Sequence, residues 1–393
     1  MNRPVVPMSV YVHIPFCDYR CRYCNFTFEV GWSPELLDRT LTALVDQAAR
    51  ERERADRDGL ALNYHTLYFG GGTPGILPPE KIGPFFDRLN AALGTTKATW
   101  AEAGFEVNPE NVTPDLLASL ADAGITRLSV GLQSFSTERL HTLGRWCTRE
   151  ANLQALERIA NLWKGTWSAD LMTGLPGDLG QAAQTWTELK ADLATLLAFS
   201  PPHVSLYSLT VEPETALHSL VRRRKLKMST PSVQDQLWLR AKQELQTAGF
   251  EWYEISNFAL PGRRSLHNPV YWRMDPWMGL GPGAEGNLVG KNPAGEWRPL
   301  RTRNPRLFPW LKGGTESDFL TAGEFWLEHF LTGWRTSEGV STVRLARTFG
   351  IIPVNTRFAL TDDERLTLNG YLERLEVSND QNLRLNWFTD TSL

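Results

Sequence analysis

Short apolar runs alternate with longer amphipathic stretches along the first two-thirds of the chain. The short runs have the β-rich composition of buried strands, and the longer stretches repeat apolar residues at the spacing of helices with one buried face. We predict strands at Ser9–Ile14, Thr66–Phe69, Ala103–Val107, Arg127–Val130, Ser168–Met172 and Val204–Leu209. We predict helices at Pro34–Arg54, Pro79–Leu93, Pro114–Ala123, Arg149–Trp163 and Gln181–Leu197.

This alternation of strands and helices predicts an α/β fold. Repeated strand–helix units form a parallel sheet with right-handed crossovers. Six such units make most of a (β/α) barrel, in which functional groups collect at the C-terminal ends of the strands. We therefore predict a barrel core over residues 1–215.

The pattern changes after about residue 215. A basic run, Arg222–Lys227, precedes another predicted helix at Ser232–Ala248. Because nothing nearby in the sequence extends the charge, we interpret the run as a solvated turn rather than a binding patch. The stretch from Gly249 to Leu311 is rich in Gly, Pro and Trp, which is typical of irregular and strand-like structure. We assign residues 216–312 to a region that completes the barrel.

The last part of the chain has a helical pattern of its own. From Ser317 onward, three helical stretches precede a predicted hairpin around Ser378–Asn382. We therefore predict that residues 313–393 form a small α+β module that resembles a winged helix.

The composition is that of an ordinary globular protein, with 42% hydrophobic and 22% charged residues. Lys and Arg number 41 against 44 Asp and Glu, and without a basic excess we do not expect nucleic acid as a partner. No apolar run approaches the ~18 residues needed to span a bilayer. The segment Met1–Met8 does not resemble a secretory signal, so we expect a cytoplasmic protein. The sequence leaves peripheral membrane contact and the oligomeric state open.

Three of the four cysteines, Cys17, Cys21 and Cys24, lie within eight residues. In a reducing compartment such a tight, odd-numbered group is more typical of a metal site than of disulfides. Three thiolates would leave one iron of a [4Fe–4S] cluster to a non-protein ligand. Zinc is the alternative, but it would need a fourth ligand, for which Asn25–Thr27 offer only weak candidates. We interpret the remaining Cys147 as an ordinary buried thiol.

The spacing Cys17-x3-Cys21-x2-Cys24 is accompanied by several other short motifs. They are Gly70–Pro74, Glu106–Pro109, Ser129–Phe135, Asp170–Gly177, Tyr253–Phe258 and His267–Trp272. With these motifs the chain resembles the radical S-adenosylmethionine (SAM) superfamily, in its coproporphyrinogen-oxidase-like branch, and within that branch the HemW family of haem chaperones. The resemblance implies a partial (β/α)6 barrel, a [4Fe–4S] cluster on the three cysteines, bound SAM and haem.

Several residues of these motifs are candidates for binding SAM. The glycines of Gly70–Thr73 remove side chains where a cofactor must approach the backbone, although a plain strand-to-helix turn also uses glycine. Glu106 and Asp170 end predicted strands, where buried carboxylates need donors such as ribose hydroxyls, an ammonium group or a neighbouring arginine. The resemblance implies that the SAM contacts are Tyr11, Tyr23, Gly71, Gly72, Thr73, Glu106, Gln133, Arg145 and Asp170, some of which belong to a second SAM position in the oxidase.

The segment His267–Trp272 contains His and Tyr, both of which occur as haem-iron ligands. A lone His is more often a hydrogen-bonded structural residue. The resemblance implies that this segment contacts haem, with His267 as the candidate ligand. It also implies a function, that of binding haem and transferring it to an acceptor protein.

The alternative function is that of an oxygen-independent coproporphyrinogen III dehydrogenase, which would cleave SAM reductively to a 5′-deoxyadenosyl radical. Two departures bear on this choice. The oxidase carries another Cys two positions after the third cluster ligand, where this chain has Phe26. The HemW family commonly has His in Gly-Ala-His-Gly, where this chain has Glu285. Phe26 and the His267–Trp272 segment favour the chaperone.

Overall fold

The computed structural model describes residues 3–178 and 180–349. Its strands are β1 (Val5–Ile14), β2 (Ala61–Gly71), β3 (Glu102–Val107), β4 (Arg127–Gln133), β5 (Thr166–Thr173), β6 (His203–Ser208), β7 (Glu251–Trp252), β8 (Asn257–Ala259), β9 (Trp277–Leu280), β10 (Glu285–Lys291), β11 (Trp297–Arg303) and β12 (Glu316–Phe319). Its α-helices are α1 (Pro34–Arg57), α2 (Pro79–Leu93), α3 (Pro114–Ala123), α4 (Thr137–Thr142), α5 (Arg149–Leu162), α6 (Trp186–Leu197), α7 (Ala216–Arg222), α8 (Pro231–Thr247), α9 (Asn268–Trp272), α10 (Leu307–Trp310), α11 (Ala322–Gly333) and α12 (Thr342–Phe349).

All six strands predicted for the barrel core are present. The predicted start of the helix Gln181–Leu197 is wrong, because α6 begins at Trp186. The reason is a capping box, in which the Thr185 hydroxyl accepts from the Glu188 N–H while the Glu188 carboxylate accepts from the Thr185 N–H. These two bonds satisfy backbone donors that the first helical turn leaves free, and they fix the start of the helix there.

The strands form one twelve-stranded sheet in the order β12-β11-β10-β9-β1-β2-β3-β4-β5-β6-β8-β7. Strands β1 to β6 are parallel neighbours, as the alternation of strands and helices predicts. On the other side of β1, β9 is parallel, and β10 to β12 continue the sheet in antiparallel fashion. The strands at the two ends of this order, β12 and β7, are not hydrogen-bonded to each other, so the sheet is an open, partial barrel. The predicted division after residue 215 therefore does not interrupt the sheet.

One face of the parallel strands is apolar and is covered by the helices. On β2, Phe69 is fully buried and stacks on Phe86 of α2 at 4.4 Å between ring centroids. Phe85 of the same helix meets Phe69 edge to face. Because successive side chains of a strand point to opposite faces, the neighbours of such residues face the barrel interior.

The interior face is polar. It carries Tyr11 and His13 on β1, Tyr68 on β2, Glu106 on β3 and Asp170 on β5, each beside an apolar residue of the other face. These residues lie toward the C-terminal ends of their strands, where a barrel positions its functional groups.

The opposite end of the barrel is closed by a buried ion pair. Arg127 Nε donates to Glu102 Oε2 at 2.7 Å, and both side chains are almost fully buried. Glu102 Oε1 also accepts from the Ser265 hydroxyl and from the backbone N–H groups of Leu266 and His267, at 2.9–3.0 Å. Arg127 donates to the two carbonyl groups that precede Ser265. The segment before α9 is thus fixed to the starts of β3 and β4.

The predicted C-terminal module, residues 313–393, includes strand β12 of the sheet and helices α11 and α12, and its predicted hairpin lies outside the described residues. A backbone bridge joins Glu254 to Thr336, just after α11. In the part of the chain that the structure describes, no helix combines the length and apolar character needed to cross a bilayer.

Candidate functional site

The loop after β1 carries the three cysteines and is fixed to the fold by its backbone. Cys17 N–H donates to the carbonyl of Glu29 at 3.0 Å, which closes the loop on itself. Arg22, in its middle, donates its N–H to the Leu143 carbonyl at 2.8 Å and accepts from the Leu217 N–H at 2.7 Å. The loop is therefore held between the segment after α4 and helix α7, at the C-terminal end of the barrel.

The thiols of Cys17, Cys21 and Cys24 are free and partly exposed. Burial raises the pKa of Cys17 to about 12 and that of Cys24 to about 11, and repulsion from the neighbouring thiolates adds to both shifts. Burial also raises the pKa of Cys21, although the Arg145 guanidinium opposes the shift. Three free thiols that repel one another when ionised need a bound cation to hold them as thiolates. Thiolates are the ligands that iron–sulfur clusters take, so three free thiols on one loop fit a polynuclear iron cluster with three protein ligands.

A chain of hydrogen bonds links Arg145 to this group. Arg145 Nη2 donates to Asn108 Oδ1 at 3.1 Å, and Asn108 Nδ2 donates to Thr73 Oγ1 at 3.3 Å. The Thr73 hydroxyl in turn lies 3.5 Å from Cys17 Sγ, to which it donates. Two predicted cofactor contacts, Thr73 and Arg145, are thus joined to a predicted cluster ligand by Asn108, which the sequence analysis quotes in a motif but does not single out.

A second connection, which the sequence analysis missed, holds the same loop. The Tyr19 hydroxyl donates to the carboxylate of Glu110, and the Tyr19 ring stacks on Trp146 at 4.6 Å between centroids. The Glu110 carboxylate lies 3.9 Å from Arg145 Nη2. Tyr19 stands between two cysteines, but no local pattern in the sequence indicates its partner 91 residues away.

The glycine turn after β2 packs directly against this loop. Gly71 has a φ of +113°, and a Cβ there would lie 2.6 Å from the His13 ring. A Cβ on Gly72 would lie 2.6 Å from the carbonyl oxygen of Phe16. Both glycines are therefore required by close contacts within the protein, in addition to any approach of a cofactor.

A cavity of about 470 Å³ opens beside the cysteine loop. Its size lies within the ~300–1,000 Å³ of small-molecule sites. It is lined by Tyr11, His13, Asn25, Phe26, Thr27, Gly71, Glu106 and Gly283. Tyr11 hydrogen-bonds His13 Nδ1 at 3.1 Å, and His13 Nε2 bonds the Thr27 carbonyl oxygen at 2.7 Å. His13 lies two residues after Tyr11 on β1, so strand alternation places both side chains on the same face. This alternation could have identified His13 as a site residue from the sequence.

Two carboxylates face the interior near the cavity. Burial, and then repulsion from Asp170, raise the pKa of Glu106 to about 7, against hydrogen bonds from the Tyr68 hydroxyl at 3.0 Å and from the Gly71 N–H. Burial raises the pKa of Asp170 to about 6, although Ser129 donates to it at 3.1 Å. A cationic ligand would relieve this repulsion and ionise both groups. SAM, with its sulfonium and ammonium charges, has this chemistry.

Gln133 and Tyr23 complete the predicted SAM contacts. Gln133 ends β4 with a φ of +64°, a conformation that costs a non-glycine residue energy and is often found at functional sites. Tyr23 packs against a small apolar cluster that includes Leu217 of α7 and Leu143, and its pKa is raised by burial and by the neighbouring Cys21.

His267 is buried, and both of its ring nitrogens form hydrogen bonds with side chains of the protein. Thr66 Oγ1 donates to Ser9 Oγ at 2.8 Å, so it accepts from His267 Nδ1–H at 2.7 Å. This leaves Nε2 to accept from the Tyr271 hydroxyl, also at 2.7 Å. The imidazole stacks on Tyr68 at 5.1 Å, and burial lowers its pKa to about 4. His267 is thus a neutral, fixed residue that orients Tyr271.

The two departures from the family patterns lie in different environments. Phe26 lines the cavity with 68% of its surface exposed. Glu285 is exposed at the start of β10, 3.6 Å from Arg303 Nε.

Comparison with known proteins gives the family. Residues 11–185 match the model of the radical SAM superfamily. The chain is 35% identical over 347 residues to the haem chaperone HemW of Synechocystis sp., covering 87% of this chain and 81% of that protein. It is 30% identical over 348 residues to the haem chaperone HemW of Bacillus subtilis, covering 87% of each. The chain belongs to the HemW family.

A solved structure confirms the fold of this HemW family member. Coproporphyrinogen III oxidase (HemN) from Escherichia coli, a radical SAM enzyme, aligns with a TM-score of 0.69 at 20% identity, covering 88% of this chain and 78% of that one. Membership of the radical SAM superfamily implies a [4Fe–4S] cluster and SAM as cofactors. The predicted α/β partial barrel and the predicted family are thus confirmed.

Proposed function

We propose that this protein is a haem chaperone, which binds haem beside a [4Fe–4S] cluster and SAM and transfers the haem to an acceptor protein in the cytoplasm. The observation that carries the proposal is the hydrogen-bonded pair of His267 and Tyr271, which faces the same interior as the cofactor residues. Membership of the HemW family supports it, since the relatives bear the name haem chaperone.

The cluster and SAM would be held by the residues of the cysteine loop and the cavity. Cys17, Cys21 and Cys24 would bind the cluster, which supplies an iron open to SAM and an electron for its reductive cleavage. Tyr11, Tyr23, Gly71, Gly72, Thr73, Glu106, Gln133, Arg145 and Asp170 are the proposed SAM contacts.

The hydrogen bonds of His267 and Tyr271 indicate which of the two residues can contact haem. Binding of iron by His267 would require the loss of one of its two 2.7 Å hydrogen bonds. The Tyr271 hydroxyl donates a hydrogen bond to His267, and its oxygen keeps lone pairs that can bind a ligand. Trp272 Nε1 is buried without a hydrogen-bond partner among the described residues and offers a donor for a haem carboxylate. We therefore assign haem contact to Tyr271 and the positioning of Tyr271 to His267.

Substitution of this pair tests the haem site. Tyr271→Phe is expected to weaken haem binding by at least about tenfold and to shift the Soret band, because it removes the oxygen. His267→Ala is expected to weaken binding less and to keep the band position. Both are measured by haem titration of the purified protein.

A similar pair elsewhere in the barrel supplies the control. His203 Nε2 hydrogen-bonds the Tyr253 hydroxyl at 2.8 Å, so Tyr253→Phe removes the same kind of bond outside the site. If His267→Ala alone abolishes binding, His267 is the iron ligand. Undiminished binding in both variants would move the haem site elsewhere. Formation of protoporphyrinogen from coproporphyrinogen by the reconstituted protein, with SAM and a reductant, would replace the chaperone proposal with the dehydrogenase.

Binding of SAM should depend on the ionisation of Glu106. The pKa of this carboxyl is about 7 without ligand, and Asp170, Tyr68, Tyr11 and Tyr271 face it. A cationic ligand prefers the ionised form, so SAM affinity should be highest above pH 7 and fall as pH decreases below it, by up to about tenfold per unit.

Glu106→Gln should weaken SAM binding by about 1.5–3 kcal/mol at about pH 8 and flatten this pH dependence. Calorimetry on the reconstituted protein measures both effects. Glu80→Gln, on the exposed side of α2, is the control and should change neither. An unchanged affinity and pH profile in Glu106→Gln would remove Glu106 from the site.

A further inference from the structure

The basic run Arg222–Lys227, which the sequence analysis interprets as a solvated turn, lies at the end of helix α7 and exposes its cations. Its five cations, which we call the basic collar, are Arg222, Arg223, Arg224, Lys225 and Lys227. All are exposed, and within the described part of the chain none of them forms an ion pair. They outnumber the two carboxylates of the preceding turn, Glu212 and Glu214, in a protein whose net charge is −3. The basic collar is thus a positively charged segment in a protein whose net charge is negative.

The structure places the basic collar beside the cysteine loop. Helix α7, which leads into the collar, donates the Leu217 N–H to the Arg22 carbonyl at 2.7 Å. Tyr23 packs against the apolar side of the same helix. After the collar, Lys227 exchanges two backbone hydrogen bonds of 2.9 Å with Gly177, in the loop that follows β5. Both ends of the collar are therefore fixed at the C-terminal end of the barrel, next to the predicted cluster ligands.

A further cation on the cysteine loop extends this surface. Arg20 is exposed, and its guanidinium lies 5.7 Å from the centre of the Phe28 ring. Arg20 directly precedes Cys21 in the loop that carries the three cysteines. The cysteine loop thus carries an exposed cation of its own, Arg20, together with one exposed carboxylate, Asp18.

We propose that the basic collar is the docking surface for an acidic one-electron carrier protein, of the flavin or iron–sulfur class, which reduces the [4Fe–4S] cluster. In this step one electron leaves the reduced carrier and enters the cluster, and no bond or proton is transferred. The inference rests on the proposed cluster but not on haem binding. Complexes of redox proteins have small interfaces, and charge complementarity brings their centres together quickly. Docking at the collar places a carrier against the loop that holds the cluster.

The test measures how fast a carrier reduces the cluster. The triple variant Arg222→Glu, Arg223→Glu, Lys225→Glu reverses the collar while leaving Arg224, which has a φ of +55°, unchanged. Reduced flavodoxin of net negative charge is the probe, and bleaching of the cluster absorbance is the signal. We expect reduction of the triple variant to be at least about tenfold slower at low ionic strength. The difference should shrink in about 0.5 M NaCl, where exposed charges are screened.

Two controls separate docking from other effects. The variant Arg39→Glu, Arg50→Glu, Arg57→Glu makes the same change in net charge on exposed positions of α1, and it should be reduced at the wild-type rate. Reduced methyl viologen, a small cation, should reduce the collar variant at least as fast as the wild type. Iron content and this viologen reaction report whether the cluster is intact, so a missing cluster is distinguished from a missing docking surface.

Several outcomes would overturn the proposal. One is wild-type reduction of the collar variant by flavodoxin at low ionic strength. Another is equal slowing of both triple variants, which would assign the effect to net charge. If the rate is unchanged but binding to phosphatidylglycerol vesicles is lost, the collar is a lipid-binding surface instead.

Discussion

Replacement of Cys17, Cys21 or Cys24 by Ser is expected to remove most of the iron and the brown colour of the reconstituted protein. Each thiolate would bind a different iron, and an alkoxide is a poor substitute at a site whose thiols already resist ionisation because of burial. Iron analysis and visible absorption after anaerobic reconstitution measure the effect.

Cys147→Ser is the matched control, since this thiol is also free and, like that of Cys21, lies near Arg145. Its Sγ donates to Asn152 Oδ1 at 3.0 Å, a bond that a Ser hydroxyl can keep. The variant should retain the cluster. Loss of the cluster in Cys147→Ser, with retention in any of the other three variants, would refute the assignment of ligands.

Glu102→Ala is expected to destabilise the protein by about 3–5 kcal/mol, because it leaves Arg127 buried without its partner. It also leaves the Ser265 hydroxyl and the N–H groups of Leu266 and His267 without their acceptor. Chemical denaturation measures the change. The control Glu296→Ala, which breaks an exposed pair with Arg298, should cost no more than about 1 kcal/mol.

The Glu102 carboxyl also makes the stability of the protein depend on pH in the acid range. Burial alone would raise the pKa of Glu102. The Arg127 guanidinium and the two backbone donors together outweigh this effect, so the pKa of Glu102 lies below its ordinary value. Its contribution is present at neutral pH and is lost as pH falls through that lowered pKa. Wild-type stability should therefore decrease in acid more steeply than that of Glu102→Ala. Equal stability of the two proteins at neutral pH would contradict the role of the buried pair.

Local patterns were sufficient to predict the parallel strands, at whose C-terminal ends the proposed cofactor residues lie. Strand alternation alone places Glu106 and Asp170 on the interior face, and the cysteine spacing identifies its own loop. What could not be predicted depends on contacts between distant segments. The bond of Tyr19 to Glu110 and the position of the basic collar beside the cysteine loop are set by packing of distant elements.

His267 shows the same limit at a single residue. Its identity in the motif says nothing about Thr66, which lies 201 residues earlier and occupies its Nδ1. Only the assembled sheet brings the two together, and this contact is what changes the role we assign to His267 from ligand to positioning residue.

The pairing of β9 with β1 has a consequence for how the chain matures. During synthesis β1 emerges first, but its second edge finds a partner only when residues 277–280 have left the ribosome. Until then the nascent barrel exposes an unpaired edge of a strand whose side chains belong to the core, a template for association with other chains. Such a long sequence separation also makes closure of the sheet slow. A truncated product that ends before β9 would keep that exposed edge, so a fragment limited to residues 1–215 is an aggregation hazard rather than a minimal working unit.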